Sequence, residues 1–161
     1  MKNEGIATSV LSFTSPGIWY GDIEQTKALA RQCNDYLAGL AEDYPGRFGG
    51  FAFLPLPDID AALSETARVM DDLKLDGITL LTSIDDKYIG HPEFEPLYEE
   101  LNRRKVVVFI HPCYPPGTEA DGWNIPRMLI DYPPLSVKDF FWLLSIAQSP
   151  LPPVRYHEFC C

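Results

Sequence analysis

Val106-Val107-Val108-Phe109-Ile110-His111-Pro112 strings five β-branched or aromatic residues together and closes on a histidine and a proline. Such a run reads as a short strand that is apolar along its whole length. A strand of this kind, apolar throughout rather than alternating, is covered on both faces, as in a parallel sheet flanked by helices. Three earlier stretches have the same character: Ile6-Ala7-Thr8-Ser9-Val10-Leu11-Ser12-Phe13, closed by Ser15-Pro16-Gly17; Arg47-Phe48-Gly49-Gly50-Phe51-Ala52-Phe53-Leu54; and Gly77-Ile78-Thr79-Leu80-Leu81-Thr82. The Gly49-Gly50 pair in the second predicts close backbone packing or a bend.

Helical patterns fill the intervals. From Asp22 onward Leu29, Cys33, Tyr36, Leu37, Leu40 and Tyr44 recur at three- and four-residue steps, predicting one apolar stripe that ends before Pro45-Gly46. Asp58 stands as an N-cap before Ile59, Ala62, Leu63, Thr66, Val69, Met70 and Leu73. A third helix begins near Pro92, which costs nothing at a first helical position, with Phe94, Leu97, Tyr98 and Leu101 facing inward. Strict strand–helix alternation calls for parallel β/α units. The strand starts near 6, 47, 77 and 106 fall close to the roughly 30 residues per unit of a 250-residue (β/α)8 barrel. A doubly wound open sheet fits the length better, yet its glycine-rich phosphate turn is missing: neither GxGxxG nor GxxxxGK[ST] occurs. The expected fold is therefore α/β, a partial (β/α)8 TIM-type barrel of about four parallel units.

The 161 residues amount to one ordinary domain, 46% hydrophobic, with a formal charge of −10. Nucleic acid is an unsuitable partner, because a phosphate backbone needs clustered cations and the 13 Lys and Arg are spread thinly. Cys33, Cys113, Cys160 and Cys161 have no CxxC spacing and are too few for a disulfide scaffold, which makes a reducing cytoplasm the default. The apolar run after Met1 is too short for a secretory leader or a membrane span. Many of the 15 prolines crowd into 112–153, a stretch expected to be poorer in regular structure.

In a parallel β/α array the chemistry gathers at the carboxyl ends of the strands: here Ser12 to Thr14, Leu54 to Pro57, Thr82 to Asp86, and His111 to Tyr114. His111 is the one imidazole there, suited to ligating zinc or manganese or to acid–base work, against the plainer reading of a core-edge histidine bonded to a backbone carbonyl. His91, just ahead of Pro92, belongs at a helix N-cap. Asp85 and Asp86 read as a solvated loop pair before they read as catalytic. Ser12 and Ser83 show no partner base, so no nucleophilic triad is supported, and Cys113 serves as a small hydrophobe at the barrel mouth. His157 lies in the proline-rich tail and supports no inference.

Four ordered motifs carry a family resemblance: residues 44–58 (Tyr44-Pro45-Gly46-Arg47-Phe48-Gly49-Gly50-Phe51-Ala52-Phe53-Leu54-Pro55-Leu56-Pro57-Asp58), Leu75-Asp76-Gly77-Ile78, His91-Pro92-Glu93-Phe94-Glu95-Pro96-Leu97-Tyr98-Glu99-Glu100-Leu101, and Val107-Val108-Phe109-Ile110-His111-Pro112. Over about residues 4–133 the chain resembles the amidohydrolase-related decarboxylases, among them the aminocarboxymuconate semialdehyde, γ-resorcylate and 6-methylsalicylate decarboxylases. The resemblance implies a (β/α)8 barrel with one divalent metal, zinc or manganese, at its mouth. His111 matches the ligand on a middle strand, and Trp123 falls where a substrate-lining aromatic is expected, against the alternative that it packs the loop on Tyr114. The first-strand HxH or ExH pair, a further His followed by Gly-Gly, and a late Asp have no counterpart, and no catalytic acid is assigned.

These matches divide the chain into a partial amidohydrolase-like barrel over 1–133 and a Pro-rich tail over 134–161, which departs from the family pattern and is expected not to be native to the barrel. The implied function is that of a fragment of a metal-dependent, non-oxidative decarboxylase, a carboxy-lyase acting on a small aromatic or unsaturated carboxylic acid such as a 6-methylsalicylate-like substrate. Two alternatives stand beside it: a metal-dependent amidohydrolase-type hydrolase, since the same ligand set can make hydroxide, and a catalytically inactive truncated half-barrel. One imidazole leaves a metal mostly hydrated, so the chain alone is expected neither to retain the ion nor to turn over substrate. Its open strand edges predict self-association into a homo-oligomer.

Overall fold

The computed structural model describes residues 5–14 and 16–113. The chain runs β1 (Ser9–Leu11), α1 (Ile23–Asp43), β2 (Phe48–Ala52), α2 (Ile59–Asp71), β3 (Gly77–Leu81), β4 (Ser83–Ile84), β5 (Lys87–Tyr88), a 3-10 turn at Pro92–Phe94, α3 (Glu95–Arg104) and β6 (Val108–His111). Four strands form one sheet in the order β1-β2-β3-β6, every pairing parallel. Each crossover between sheet neighbours carries a helix, so the arrangement is half of a (β/α)8 barrel, as the spacing predicts.

The strands are shorter than the apolar runs that forecast them, and the difference lies at their ends. Parallel pairing of β1 stops at Leu11 opposite Gly50, and β2 pairs with β3 only through Phe51–Gly77 and Ala52–Ile78. Asp85 and Asp86, read from sequence as a solvated loop pair, form the two-residue turn of the antiparallel β4–β5 hairpin. Both have positive φ, 49° and 59°, as the type I′ geometry that matches strand twist demands.

Alternation along the strands separates two faces. Ala52, Leu54, Ile78, Leu80 and Val108 share a buried core with Leu37 and Ala38 of α1, Ala62 and Val69 of α2, and Leu97 and Leu101 of α3. Phe51, Phe53, Thr79, Leu81, Phe109 and His111 fall on the other face, where the rings of Phe51 and Phe109 stack 6.0 Å apart. Gly49 and Gly50 allow the close packing their pairing predicts: a Cβ on Gly49 would lie 2.4 Å from Asp76 Oδ2, and one on Gly50 3.2 Å from Leu37 Cβ.

The helices start where their caps stand. Asp22 accepts from the amides of Glu24 and Gln25, and Asp58 accepts from that of Ala61. The α2 and α3 faces match the periodicity, with Ile59, Leu63 and Met70 packed beside the buried Ala62 and Val69. α1 differs. Its buried positions are Thr26, Ala30, Asn34, Leu37 and Ala38, while Tyr36 and Tyr44 of the forecast stripe are exposed. Small and hydrogen-bonded polar residues let this helix lie close on the sheet, and the tyrosines stay on its outer side. Among the described residues no helix is long and apolar enough to cross a membrane.

Candidate functional site

The carboxyl ends of the strands converge as parallel register requires. Leu81 stands opposite His111, and Thr82 N–H donates to the His111 carbonyl at 3.1 Å. His111 is half-buried, and its ring lies 6.1 Å from that of Phe109. Nδ1 is 2.7 Å from the carbonyl oxygen of Pro112. A carbonyl only accepts, so Nδ1 carries the proton and donates. In the neutral ring Nε2 is then the acceptor, and Thr14 Oγ1, 2.8 Å away, donates to it. The plain reading of a histidine tied to a carbonyl describes Nδ1.

Cys113, two residues on, is buried. Its sulfur accepts from Ser83 N–H at 3.2 Å and its amide donates to Thr82 Oγ1 at 3.0 Å. It lies in an apolar cluster with Ile18, Ala30, Phe53 and Leu81, as a small hydrophobe would, and its hydrogen bonds also fasten the end of β6 to the start of the hairpin. Ser83 Oγ lies 3.1 Å from the same sulfur, while exposed Ser12 sits two residues before the threonine that holds Nε2, so neither serine is paired with the imidazole as a triad would require. His91 caps the turn at Pro92, its Nδ1 accepting from Glu93 N–H. Asp85 accepts from Trp19 Nε1 at 3.2 Å, linking the hairpin to the β1–α1 loop.

That loop crosses the sheet end. Gly17, at φ +80°, passes so near the end of β3 that a Cβ would lie 2.6 Å from Leu81 Cδ1. Beside it Ile18 and Trp19, with Phe53, Leu54, Leu56, Thr79, Leu80, Leu81 and Ile84, line a cavity of about 20 Å³ that has no charged wall. Thr79 Oγ1 is buried with no hydrogen-bond partner among the described residues. Thr14, Leu54, Leu56 and Ile84 fall in the strand-end stretches marked from sequence, but neither the contact of Thr14 with His111 nor the pocket was foreseen. A lone threonine after a strand carries no pattern, and the pocket depends on where β2 and β3 cease to pair.

Among the described residues no group of three or more His, Cys, Asp or Glu converges to hold a metal ion. His111 offers one nitrogen, and by themselves these residues do not make a metal's ligand set, for which at least three protein donors are usual. Trp123, His157, Cys160 and Cys161, and the tail boundary at 134, lie outside the described residues.

The comparisons with known proteins agree with this geometry. A family model described as Amidohydrolase matches residues 7–142. Decarboxylase macB of Penicillium terrestre is 44% identical over 147 residues, an alignment covering 83% of this chain and 43% of that protein. The 6-methylsalicylic acid decarboxylase acuB of Aspergillus aculeatus is 39% identical over 159 residues, covering 96% and 47%. Among solved structures, the 5-carboxyvanillate decarboxylase of Novosphingobium aromaticivorans, complexed with manganese and 4-hydroxy-3-methoxy-5-nitrobenzoic acid, superposes with a TM-score of 0.78 at 26% identity, covering 94% of this chain and 45% of that one. The chain spans less than half the length of each of these proteins.

Proposed function

This chain belongs to the amidohydrolase family, and we propose that it is the His111-bearing part of a metal-dependent, non-oxidative decarboxylase acting on a small aromatic carboxylic acid of the 6-methylsalicylate kind. The observation that carries the reading is the placement of His111 at the carboxyl end of β6, level with Leu81, with Nδ1 tied to Pro112 and Nε2 bonded to Thr14. The decarboxylases it resembles support the reaction class. A divalent ion, zinc or manganese, supplies Lewis-acid polarisation of a bound acid in such chemistry. His111 is the residue this chain contributes toward it, and Trp123 the residue proposed to line the substrate. The chain by itself is proposed to be inactive and to lie in the cytoplasm.

In such a reaction an acid protonates the ring carbon that bears the carboxylate, the carbon–carbon bond breaks with its electron pair restoring the aromatic ring, and neutral carbon dioxide leaves; that acid is not assigned to a residue of this chain.

A chimaera tests the assignment, with this chain replacing the matched segment of the Aspergillus aculeatus 6-methylsalicylic acid decarboxylase. Carbon dioxide release from 6-methylsalicylate should persist and fall by at least about 100-fold on His111→Ala. A folded chimaera that is inactive with His111 in place, or one indifferent to its loss, overturns the proposal.

A further inference from the structure

The first strand leaves the sheet early, and what replaces it shows why. In a parallel ladder alternate residues of a strand bond to opposite neighbours. The Arg47 carbonyl accepts from Ser9 N–H on the β1 side, while that of Gly50 accepts from Asp76 N–H on the β3 side. By the same alternation the N–H and C=O of Phe53 face the β1 side, but β1 has stopped pairing at Leu11. The fully buried carboxamide of Asn34 takes the vacated place. It accepts from Phe53 N–H and donates to Phe53 C=O, both at 2.9 Å. The chain freed from the ladder crosses the strand ends, bringing Thr14 from one edge of the four-stranded sheet to His111 on the other. Gly17 then passes over Leu81, where a Cβ would lie 2.6 Å from Leu81 Cδ1.

From this geometry we propose that Thr14 is a positioning residue for His111. Its hydroxyl donates to Nε2, Pro112 accepts from Nδ1, and together they hold the imidazole in the Nδ1–H form with its acceptor nitrogen facing the interior until a ligand of that nitrogen displaces the hydroxyl. The early exit of β1 and the Asn34 clamp that compensates for it are what place Thr14 there. The inference rests on the reading of His111 as a site residue and deepens it. Its readouts are the tautomer and reactivity of the ring, not carbon dioxide release, so either reading can fail alone.

The test uses the whole chain labelled with nitrogen-15 on histidine, at pH ~8 where an imidazole is ordinarily neutral. Wild type should show an unprotonated Nε2 and a protonated Nδ1 at His111, and Thr14→Ser should keep that signature. Thr14→Val should lose it. Diethyl pyrocarbonate should modify His111 about two- to ten-fold faster in Thr14→Val than in wild type, the range set by releasing one ordinary hydrogen bond, with His91 as the internal reference. Nε2–H as the wild-type tautomer overturns the proposal without any variant. So does a folded Thr14→Val chain whose His111 spectrum and modification rate match wild type.

Discussion

Asn34 shows how much one buried polar side chain carries in this half-barrel. It is fully buried, and besides its two bonds to Phe53 it donates to Glu65 Oε1 at 2.8 Å. Glu65 in turn receives both Nε and an Nη of Arg68, which also reaches Asp35. Hydrogen bonding to Glu65, then to Asp35, holds the Arg68 guanidinium pKa above its ordinary value against the opposing effect of burial. Both polar atoms of Asn34 and both carboxylate oxygens of Glu65 have partners, so removing one group leaves others stranded in the core. Asn34→Ala is expected to lower stability by about 2–5 kcal/mol, since Phe53 N–H, Phe53 C=O and one Glu65 oxygen lose partners together. Urea unfolding of the two chains measures it, read as a shifted midpoint at constant slope. A loss under about 1 kcal/mol would mean that the backbone of Phe53 finds other partners and that the clamp is not what allows β1 to leave.

The helices and strands were legible in the sequence wherever a period fixed them. Val106 to Ile110 is apolar without interruption, and Gly77 to Leu81 is so but for Thr79, because helices cover one face and the barrel interior the other, and Asp58 and Asp22 mark helix starts because orphan amides need an acceptor. The hairpin at Ser83–Tyr88 escaped notice because Asp85-Asp86 carries no glycine to announce a turn with positive φ. The buried face of α1 was misread because Thr26 and Asn34 are polar by type and buried only through partners distant in sequence. The placement of His111 at a strand end was legible in the sequence, whereas the contact of Thr14 with it was not, since that contact depends on where β1 stops. On α3 the ion pairs make their own testable claim. Hydrogen bonds from Arg103, then Arg104, pull Glu100 down to about 2, and Arg104 also binds Asp71 of α2 at 2.8 Å. A carboxylate depressed in the folded state stabilises fully above its unfolded value of about 4.3 and loses that contribution as pH falls through the folded one. Glu100→Gln should therefore be less stable than wild type at pH 7, and the gap in urea midpoint should close between pH ~4.5 and pH ~2. A gap that stays constant over that range would show that the arginines do not act on Glu100 through its charge.

At the scale of the whole molecule, four parallel units make an arc in which, among the described residues, β1 and β6 each pair on one side only. The mouth of such an arc can present an imidazole in the right place and still be incomplete as chemistry. A catalytic metal is ordinarily held by three or more protein donors, and the described residues bring no cluster of three His, Cys, Asp or Glu together. A single neutral imidazole leaves the ion mostly hydrated, and the Thr14 hydroxyl already on Nε2 competes for the same lone pair. His157, Cys160 and Cys161 fall within a proline-rich stretch with no apolar periodicity to fix them at this mouth. Residues 1–161, purified and dialysed after exposure to zinc or manganese, are therefore expected to retain well under one equivalent of metal and to release no carbon dioxide from 6-methylsalicylate. Elemental analysis decides the first and a gas-release assay the second. One equivalent of tightly held ion, lost on His111→Ala, would show that this chain completes a metal site of its own, and the activity would then belong to these residues without any other part of a barrel.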